Sequence, residues 1–423
     1  MLLRLGAGLG ANYWKLWTSS AVSNLADGVF FIALPLLAIR LTDSPALIAG
    51  LAFALRLPWI FFALIAGALA DRLDRRRTMV LVQLLRAGLA AGLAAAVMFG
   101  LESIWLLYAV ALLLGIGETL FDTAAQSIMP NVVRREQLPQ ANGRLYAVEI
   151  SMNQFVGPPL GGLLAAFAIV GAFAGSALAW LGAALLMVAV VGSFRPAREG
   201  PPTRIQTDIA EGLRYLWNHR LLRTFALMVG VMNLASGAAF SIFVLYAVAP
   251  GPMGLSEPEF GLLLTTTALG AVVGTLLAPR LISRLGRART LVVSILSNAL
   301  LVGVPALTAD PLLIGAGFVV GSSTGMAWNI ITVSLRQSIV PDRLIGRVNS
   351  AYRLLAWGTL PLGALLGGVI GELTDLRVVF ALAGVLSLLL LLARSVLTEE
   401  ALAAAEREAT DAGPSPTAAA QAG

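Results

Sequence analysis

Five ionisable side chains stand out within the long apolar segments of this chain, and they are the residues best placed to do chemistry. They are Asp27, Arg56, Glu118, Asp122 and Glu149. A charge near the centre of a bilayer costs at least ~2.5–3.5 kcal/mol, so each group needs a partner, a wet cavity or a function. Because desolvation favours the neutral form of a carboxylate, we interpret Asp27, Glu118 and Asp122 as candidate proton carriers.

The spacing of these groups limits how they can meet. Glu118 and Asp122 are four residues apart, which places both on one face of a helix. Asp27 lies about 15 Å into its apolar segment at the rise of an α-helix. Since buried charges are usually paired, the alternative for Asp27 is a static ion pair with Arg56.

The apolar segments that position these residues dominate the composition. Of 423 residues, 58% are hydrophobic and 12% are charged, and the mean hydropathy is +0.85. A soluble domain carries about one quarter charged residues. Segments long enough to cross a bilayer lie near residues 17–40, 45–70, 78–99, 104–129, 144–168, 171–194, 221–249, 259–281, 290–308, 311–335, 350–371 and 377–397. We therefore predict an all-α polytopic membrane protein with twelve transmembrane helices.

Residue usage excludes several kinds of site. The chain has no cysteine and one histidine, His219, so thiolate chemistry, disulfides and multi-histidine metal sites are excluded. No GxxxxGK[ST] phosphate loop is present. We expect no enzymatic activity, no metal and no cofactor, with His219 a solvated loop residue.

The arginines fall in alternate loops. The basic loops contain Arg72–Arg77, Arg134/Arg135, Arg195–Arg214, Arg280–Arg289 and Arg343/Arg347, whereas the intervening loops are mainly acidic. This alternation is the positive-inside bias of helical membrane proteins. It predicts a cell-membrane protein with both termini cytoplasmic, and it explains the basic character without a nucleic-acid partner.

Three landmarks recur in order, about 207 residues apart. The basic loop at 67–77 has a similar sequence at 274–289. The sequence QSIxP occurs at 126–130 and again at 337–341, and the pair Gly161-Gly162 recurs at 367–368. A duplicated half predicts two six-helix repeats. We divide the chain into an N-terminal half at 1–194, a cytoplasmic linker with an amphipathic helix at 195–220, a C-terminal half at 221–397 and a disordered cytoplasmic tail at 398–423.

The first basic loop resembles the signature loop of the major facilitator superfamily, in particular the branch of enterobactin exporters and macrolide efflux proteins. The resemblance rests on Gly67, Asp71, Arg72, Arg75 and Arg76, with Asp74 where the signature has glycine, and on linker residues 208–217. It implies alternating access around a cavity between the halves, with this loop as a gate that contacts span eleven. The alternative is that the arginines only anchor the topology.

The fifth span contains residues similar to GPxxGG, the terminal part of the pattern typical of drug/proton antiporters. The matching residues are Gly157, Pro158, Gly161 and Gly162, which also suit plain helix packing. The resemblance implies that spans one, two, four and five line the cavity. The further cavity candidates are Asn24, Arg56, Glu149, Asn153, Asn233, Trp328 and Asn329.

Together these features predict a secondary transporter that exports a small amphipathic molecule and is driven by a proton gradient. We expect Glu118 and Asp122 to form the polar surface of the cavity and to favour cationic substrates; alternatively, Asp122 pairs with a loop arginine. The alternative functions are a nutrient importer or facilitator, and a lipid flippase or membrane partner protein without net solute transport. The expected partners are the substrate and membrane lipids, with a functional monomer.

Overall fold

The helices of the N-terminal half follow the predicted apolar segments. A computed structural model of the protein describes residues 8–61, 73–192, 194 and 205–411. Within them, ten helices are long and apolar enough to cross a membrane. The helices of this half are α1 (Gly10–Leu41), α2 (Pro45–Phe61), α3 (Arg75–Met98), α4 (Ile104–Ile128), α5 (Leu138–Ile150) and α6 (Gly157–Val188).

The fifth and sixth predicted spans form one continuous run with two irregularities. A π-helical segment, Ser151–Val156, joins α5 to α6. Inside α6, Ala168 leaves the helical region with φ −164° and ψ 117°, so the chain turns back there. The predicted boundary between these two spans, at residues 168–171, coincides with this break.

A linker helix precedes the C-terminal half. This helix is α7 (Ile205–Asn218), and the following helices are α8 (Arg220–Ala247), α9 (Glu257–Leu285), α10 (Arg287–Leu307), α11 (Pro311–Ile339), α12 (Asp342–Leu373), α13 (Leu376–Leu389) and α14 (Glu399–Asp411). His219 begins α8, since its Nδ1 accepts a hydrogen bond from the Leu222 N–H at 3.4 Å. It is half-buried rather than solvated, and burial lowers its pKa.

Polar side chains fix where several helices begin. Asp74 accepts a hydrogen bond from the Arg77 N–H at 2.9 Å and so caps α3. The aspartate that departs from the superfamily signature therefore has a local structural role. Asp310 caps α11 in the same way, directly before Pro311.

Within each half, the helices pack closely through small residues. In the N-terminal half, α6 packs against α1 and α3, and α2 packs against α4. A Cβ built on Gly157 would lie 2.6 Å from the Gly28 Cα, and one on Gly161 would lie 2.8 Å from the Val29 carbonyl oxygen. These two glycines therefore permit the contact between α1 and α6.

The two halves meet through α2 with α12 and through α6 with α9. A Cβ on Gly162 would lie 2.3 Å from the Glu257 carbonyl oxygen, and one on Gly261 would lie 2.3 Å from that of Pro158. The glycine pattern of the fifth span thus serves both the packing within its half and the contact between halves.

The prediction of a disordered tail from residue 398 is wrong over Glu399–Asp411, which forms α14. Its Leu402 and Ala405 are buried in the core of the C-terminal half. Its Glu406 accepts a hydrogen bond from Arg287 at 2.8 Å. An apolar face and an ionic contact hold this segment against the C-terminal half. Its Ala- and Glu-rich composition alone had indicated a solvated, disordered chain.

Candidate functional site

A cavity of about 570 Å³ lies between the two halves. Its walls come from both halves, with α1, α2 and the π-helical segment on one side and α8 and α9 on the other. Phenylalanines form much of its surface, and its polar groups are few. The phenylalanines are Phe31, Phe240, Phe243 and Phe260, and the polar lining residues are Arg56, Asn153, Gln154, Ser241, Thr267 and Ser322.

The cavity is closed on the side away from the linker, which we call the far end. There Arg40 at the end of α1 forms an ion pair with Glu257 at the start of α9, with 2.6 Å between Nη2 and Oε1. The Ser44 hydroxyl donates to the Glu372 carboxylate at 2.5 Å. Both contacts join the N-terminal half to the C-terminal half, so they hold the far end shut.

Beside this cavity lies a buried cluster of charges, which we call the charge cluster: Asp27, Arg86 and Glu118. The Arg86 Nη1 lies 3.2 Å from the Asp27 Oδ1, and the two side chains are 4% and 16% exposed. All three side chains line one small void together with Trp180. The Arg86 guanidinium also lies 5.3 Å from the ring centroid of Phe121.

Arg86 was missed by the sequence analysis, and it replaces Arg56 as the partner of Asp27. Among the described residues, no ion pair joins Asp27 to Arg56, whose side chain instead lines the cavity. The available signal was an arginine eleven residues into α3, in an otherwise apolar stretch.

Two side chains separate the charge cluster from the cavity. Phe31 and Leu55 line both the cavity and the small void that the cluster surrounds. Glu118 therefore lies behind this partition, contrary to the prediction that it forms the polar surface of the cavity. The side chain of Asp122, its predicted partner in that surface, lies outside the described part of the structure.

Of the predicted cavity residues, Arg56 and Asn153 line the cavity. Asn153 belongs to the π-helical segment, which also presents its neighbour Gln154 to the cavity. Such π-helical turns are frequent at functional sites. Gln154 was not predicted, because adjacent residues of a regular helix point about 100° apart.

The other predicted cavity residues lie elsewhere. Asn24 hydrogen-bonds Ser20 one turn earlier in α1, and Asn233 donates to the Ala356 carbonyl at 2.7 Å. Trp328 is 4% exposed and packs edge-on against Phe225 in the core of the C-terminal half. Glu149 and Asn329 are exposed, and neither is among the residues lining the cavity. The interpretation of Trp328 as a cavity residue is therefore wrong, because its helix turns it inward.

The predicted gating loop is described only in part. Gly67, Asp71 and Arg72 lie outside the described residues. Arg75 donates to the Asn131 side chain at 2.8 Å, and Arg76 donates to the Val190 carbonyl at 2.6 Å. These bonds connect the start of α3 to the ends of α4 and α6 within the N-terminal half; a gating role for the loop stays a prediction.

Comparison with known proteins places this architecture in a family. The sequence profile of the transmembrane secretion effectors matches residues 10–421. The multidrug efflux pump Tap of Mycolicibacterium fortuitum is 28% identical over 86% of this chain and 90% of its own. The enterobactin exporter EntS of Shigella boydii is 26% identical over 82% of each chain.

A solved structure shows the same fold. A bacterial homologue of the iron transporter ferroportin in its inward-facing state superimposes with a TM-score of 0.73 at 17% identity. The match covers 92% of this chain and 98% of that one. With the profile match over nearly the whole chain, it follows that this chain belongs to the transmembrane secretion effector family of the major facilitator superfamily and is a multi-pass membrane transporter, not an enzyme.

Proposed function

We propose that this protein is a proton-coupled exporter of small amphipathic molecules in the cytoplasmic membrane, working by alternating access. The relatives named above are an efflux pump and an exporter, which supports outward transport. The observation that carries the proton coupling is the charge cluster, a buried ion pair with an additional carboxylate directly behind the wall of the cavity.

The charges of this cluster do not balance. With both carboxylates ionised, Asp27 and Glu118 contribute two negative charges against the single positive charge of Arg86. An uncompensated buried charge is unfavourable, so one bound proton makes the cluster neutral. The cluster thus accepts one proton when water from one side of the membrane reaches it and releases that proton when water from the other side reaches it.

Protonation is linked to the cavity through α1 and α2. Asp27 holds α1 against Arg86 of α3, while Gly28 and Phe31 of the same helix line the cavity. Weakening the ion pair removes one of the polar contacts that hold α1 against α3, beside the hydrogen bond that Gln83 donates to Ser23. Because Phe31 and Leu55 form the partition, a movement of α1 relative to α3 changes the shape of the cavity and the access to the cluster together.

The closed far end supports an inward-facing orientation of this state. Arginine-rich loops are cytoplasmic in membrane proteins, and the linker end carries them here. The far end then faces outward, and its contacts Arg40–Glu257 and Ser44–Glu372 form the outer gate in its closed state. Substrate enters from the cytoplasm or the inner leaflet and leaves after these contacts break.

The test is gradient-driven transport of fluorescent dyes into inside-out proteoliposomes, with and without a protonophore. We expect the wild type to accumulate dye only while the electrochemical proton gradient across the membrane lasts. Asp27→Asn should lose accumulation against a gradient and retain downhill exchange, because the substrate cavity is intact. Glu400→Gln, which removes an exposed carboxylate of α14, serves as the control and should behave as the wild type.

Two results would contradict this proposal. If the wild type still accumulates dye in the presence of the protonophore, transport is not coupled to protons. If Asp27→Asn shows full gradient-driven accumulation, proton coupling is still supported, but the charge cluster is not where the proton binds.

A further inference from the structure

We propose that the cavity selects substrates carrying an anionic group, which Arg56 binds while the phenylalanine wall holds the apolar part. This inference deepens the proposed function and rests on it for the statement that the bound molecule is exported. It reverses the preference for cations that the sequence suggested.

The first argument is the charge of the cavity wall. Arg56 is the charged residue among the described residues that line the cavity, and its side chain is exposed there. No acidic side chain lines the cavity within the described ranges. A guanidinium stays protonated in proteins and offers five N–H donors. The cavity therefore presents a permanent positive charge.

The second argument is that the nearby acids are not available to neutralise Arg56. Asp27 is engaged by Arg86 at 3.2 Å, and Glu118 shares its void. The partition of Phe31 and Leu55 stands between that void and the cavity. A cationic substrate would thus meet Arg56 rather than a carboxylate.

The third argument concerns the other groups on the wall. Asn153 and Gln154 of the π-helical segment add amide donors on the α1–α2 side of the cavity. Across from them, the Phe243 ring centroid lies 6.2 Å from those of both Phe240 and Phe260. A volume of about 570 Å³ is in the range of sites for drug-sized molecules. The wall therefore suits a flat apolar body with one anionic end.

A second cation lies at the contact between α2 and α12. Trp59, three residues after Arg56, has its ring centroid 6.1 Å from that of Trp357 on α12. The Arg353 guanidinium lies 5.5 Å from the centroid of the Trp357 ring. Two arginines and two indole rings thus lie along the contact between the halves, beginning at Arg56. This arrangement favours the approach of an aromatic anion.

Two fluorescent probes isolate the effect of the anionic group. 8-Anilinonaphthalene-1-sulfonate and N-phenyl-1-naphthylamine share one ring system and differ by a sulfonate. Binding of each is measured by fluorescence titration of the purified full-length protein in nanodiscs of zwitterionic lipid, with empty nanodiscs subtracted. We expect the wild type to bind the sulfonate at least about tenfold more tightly, as one charge-assisted hydrogen bond supplies.

Three variants test the residue. Arg56→Gln should bring the affinity for the sulfonate to that for the neutral probe and change the latter less than about twofold. Arg56→Lys should keep most of the preference, since it retains the charge. Arg284→Gln, which removes an exposed arginine of the second basic loop, should leave both affinities unchanged. The neutral probe also reports whether Arg56→Gln keeps its cavity.

The outcomes separate this inference from the proposed function. An unchanged preference in Arg56→Gln, or no preference in the wild type, would overturn the anion site even if gradient-driven transport occurs. If binding depends on Arg56 but no gradient-driven transport occurs, the anion site is supported and the proposal of proton-coupled export is rejected. Loss of sulfonate binding when phosphatidylglycerol is included in the nanodiscs would assign Arg56 to a lipid headgroup and overturn the site for exported anions.

Discussion

At the scale of single residues, Arg86 decides what the two partly buried acids, Asp27 and Glu118, do. It holds Asp27 at 3.2 Å and shares a void with Glu118, so its removal leaves two carboxylates in an apolar environment without their counter-charge. Loss of one partner from a buried ion pair costs about 3–5 kcal/mol, more than the intact pair contributes. Arg86 is therefore both a structural residue and the group against which the proton competes.

Replacing Arg86 tests this dual role. Arg86→Gln should lower the thermal unfolding midpoint of the purified protein, because it strands Asp27 and Glu118. The double variant Asp27→Asn/Arg86→Gln should recover stability but not gradient-driven transport, since the proton site is gone. Arg86→Lys is the matched control that keeps the charge. Equal unfolding midpoints for the wild type and Arg86→Gln would show that the pair contributes little.

Sequence alone identified the partly buried acids at this scale, but not their partner. Asp27 and Glu118 stood out because a carboxylate in an apolar segment is costly wherever the helix faces. The partner of Asp27 depended instead on how α1, α2 and α3 are rotated and packed, and that is a tertiary property. For the same reason Trp328 resembled a cavity residue in sequence, although its ring lies in the core.

At the scale of elements, α14 binds the second copy of the basic loop. Arg287 follows Gly286 at the start of α10 and lies 2.8 Å from Glu406 and 3.5 Å from Glu399. Leu402 is fully buried beneath these ion pairs. The C-terminal half thus satisfies a basic loop with acids from its own tail, and α14 stabilises that half.

Truncation after Thr398 tests the role of α14. Removing the helix should lower the thermal unfolding midpoint, because it exposes the apolar surface under Leu402, whose burial stabilises by about 1.5–3 kcal/mol. Truncation after Asp411 leaves α14 in place and should match the full chain. If both truncated proteins unfold at the same temperature as the full chain, α14 does not contribute to stability.

The limits of prediction at this scale have a simple cause. The apolar segments matched helices because a bilayer requires long runs of apolar residues, whatever their partners. The π-helical segment produces no such signal, because it depends on local packing. In α14, two buried side chains among Ala and Glu residues were too few to distinguish a docked helix from a solvated one.

At the scale of the whole molecule, alternating access requires the far end to open. The Arg40–Glu257 ion pair and the contact of Ser44 with Glu372 lie on two sides of that end and join opposite halves. The close approach of Gly162 to Glu257 leaves no room for a side chain there. The far end is therefore sealed by both charge and shape.

The absence of cysteine from the natural chain makes this closure directly testable. Arg40→Cys/Glu257→Cys, bridged by a short bifunctional thiol reagent, should stop transport, and cleavage of the bridge should restore it. The control pair Asn12→Cys/Val191→Cys joins two neighbouring positions of the N-terminal half and should not affect transport when bridged. Transport that continues with the first pair bridged would show that the far end does not open.

The positive charge at Arg56 has a consequence for the energy source of the protein. When a monovalent anion leaves the cell and one proton enters, two charges cross the membrane in the direction that the membrane potential favours. Each charge contributes about 2.3 kcal/mol per 100 mV, so a potential of about 100 mV alone supports a concentration ratio of roughly two thousandfold. A monovalent cation exchanged for a proton would gain nothing from the potential. An anion-selective cavity beside a one-proton cluster therefore lets the cell export its substrate electrically, even when the pH is equal on both sides.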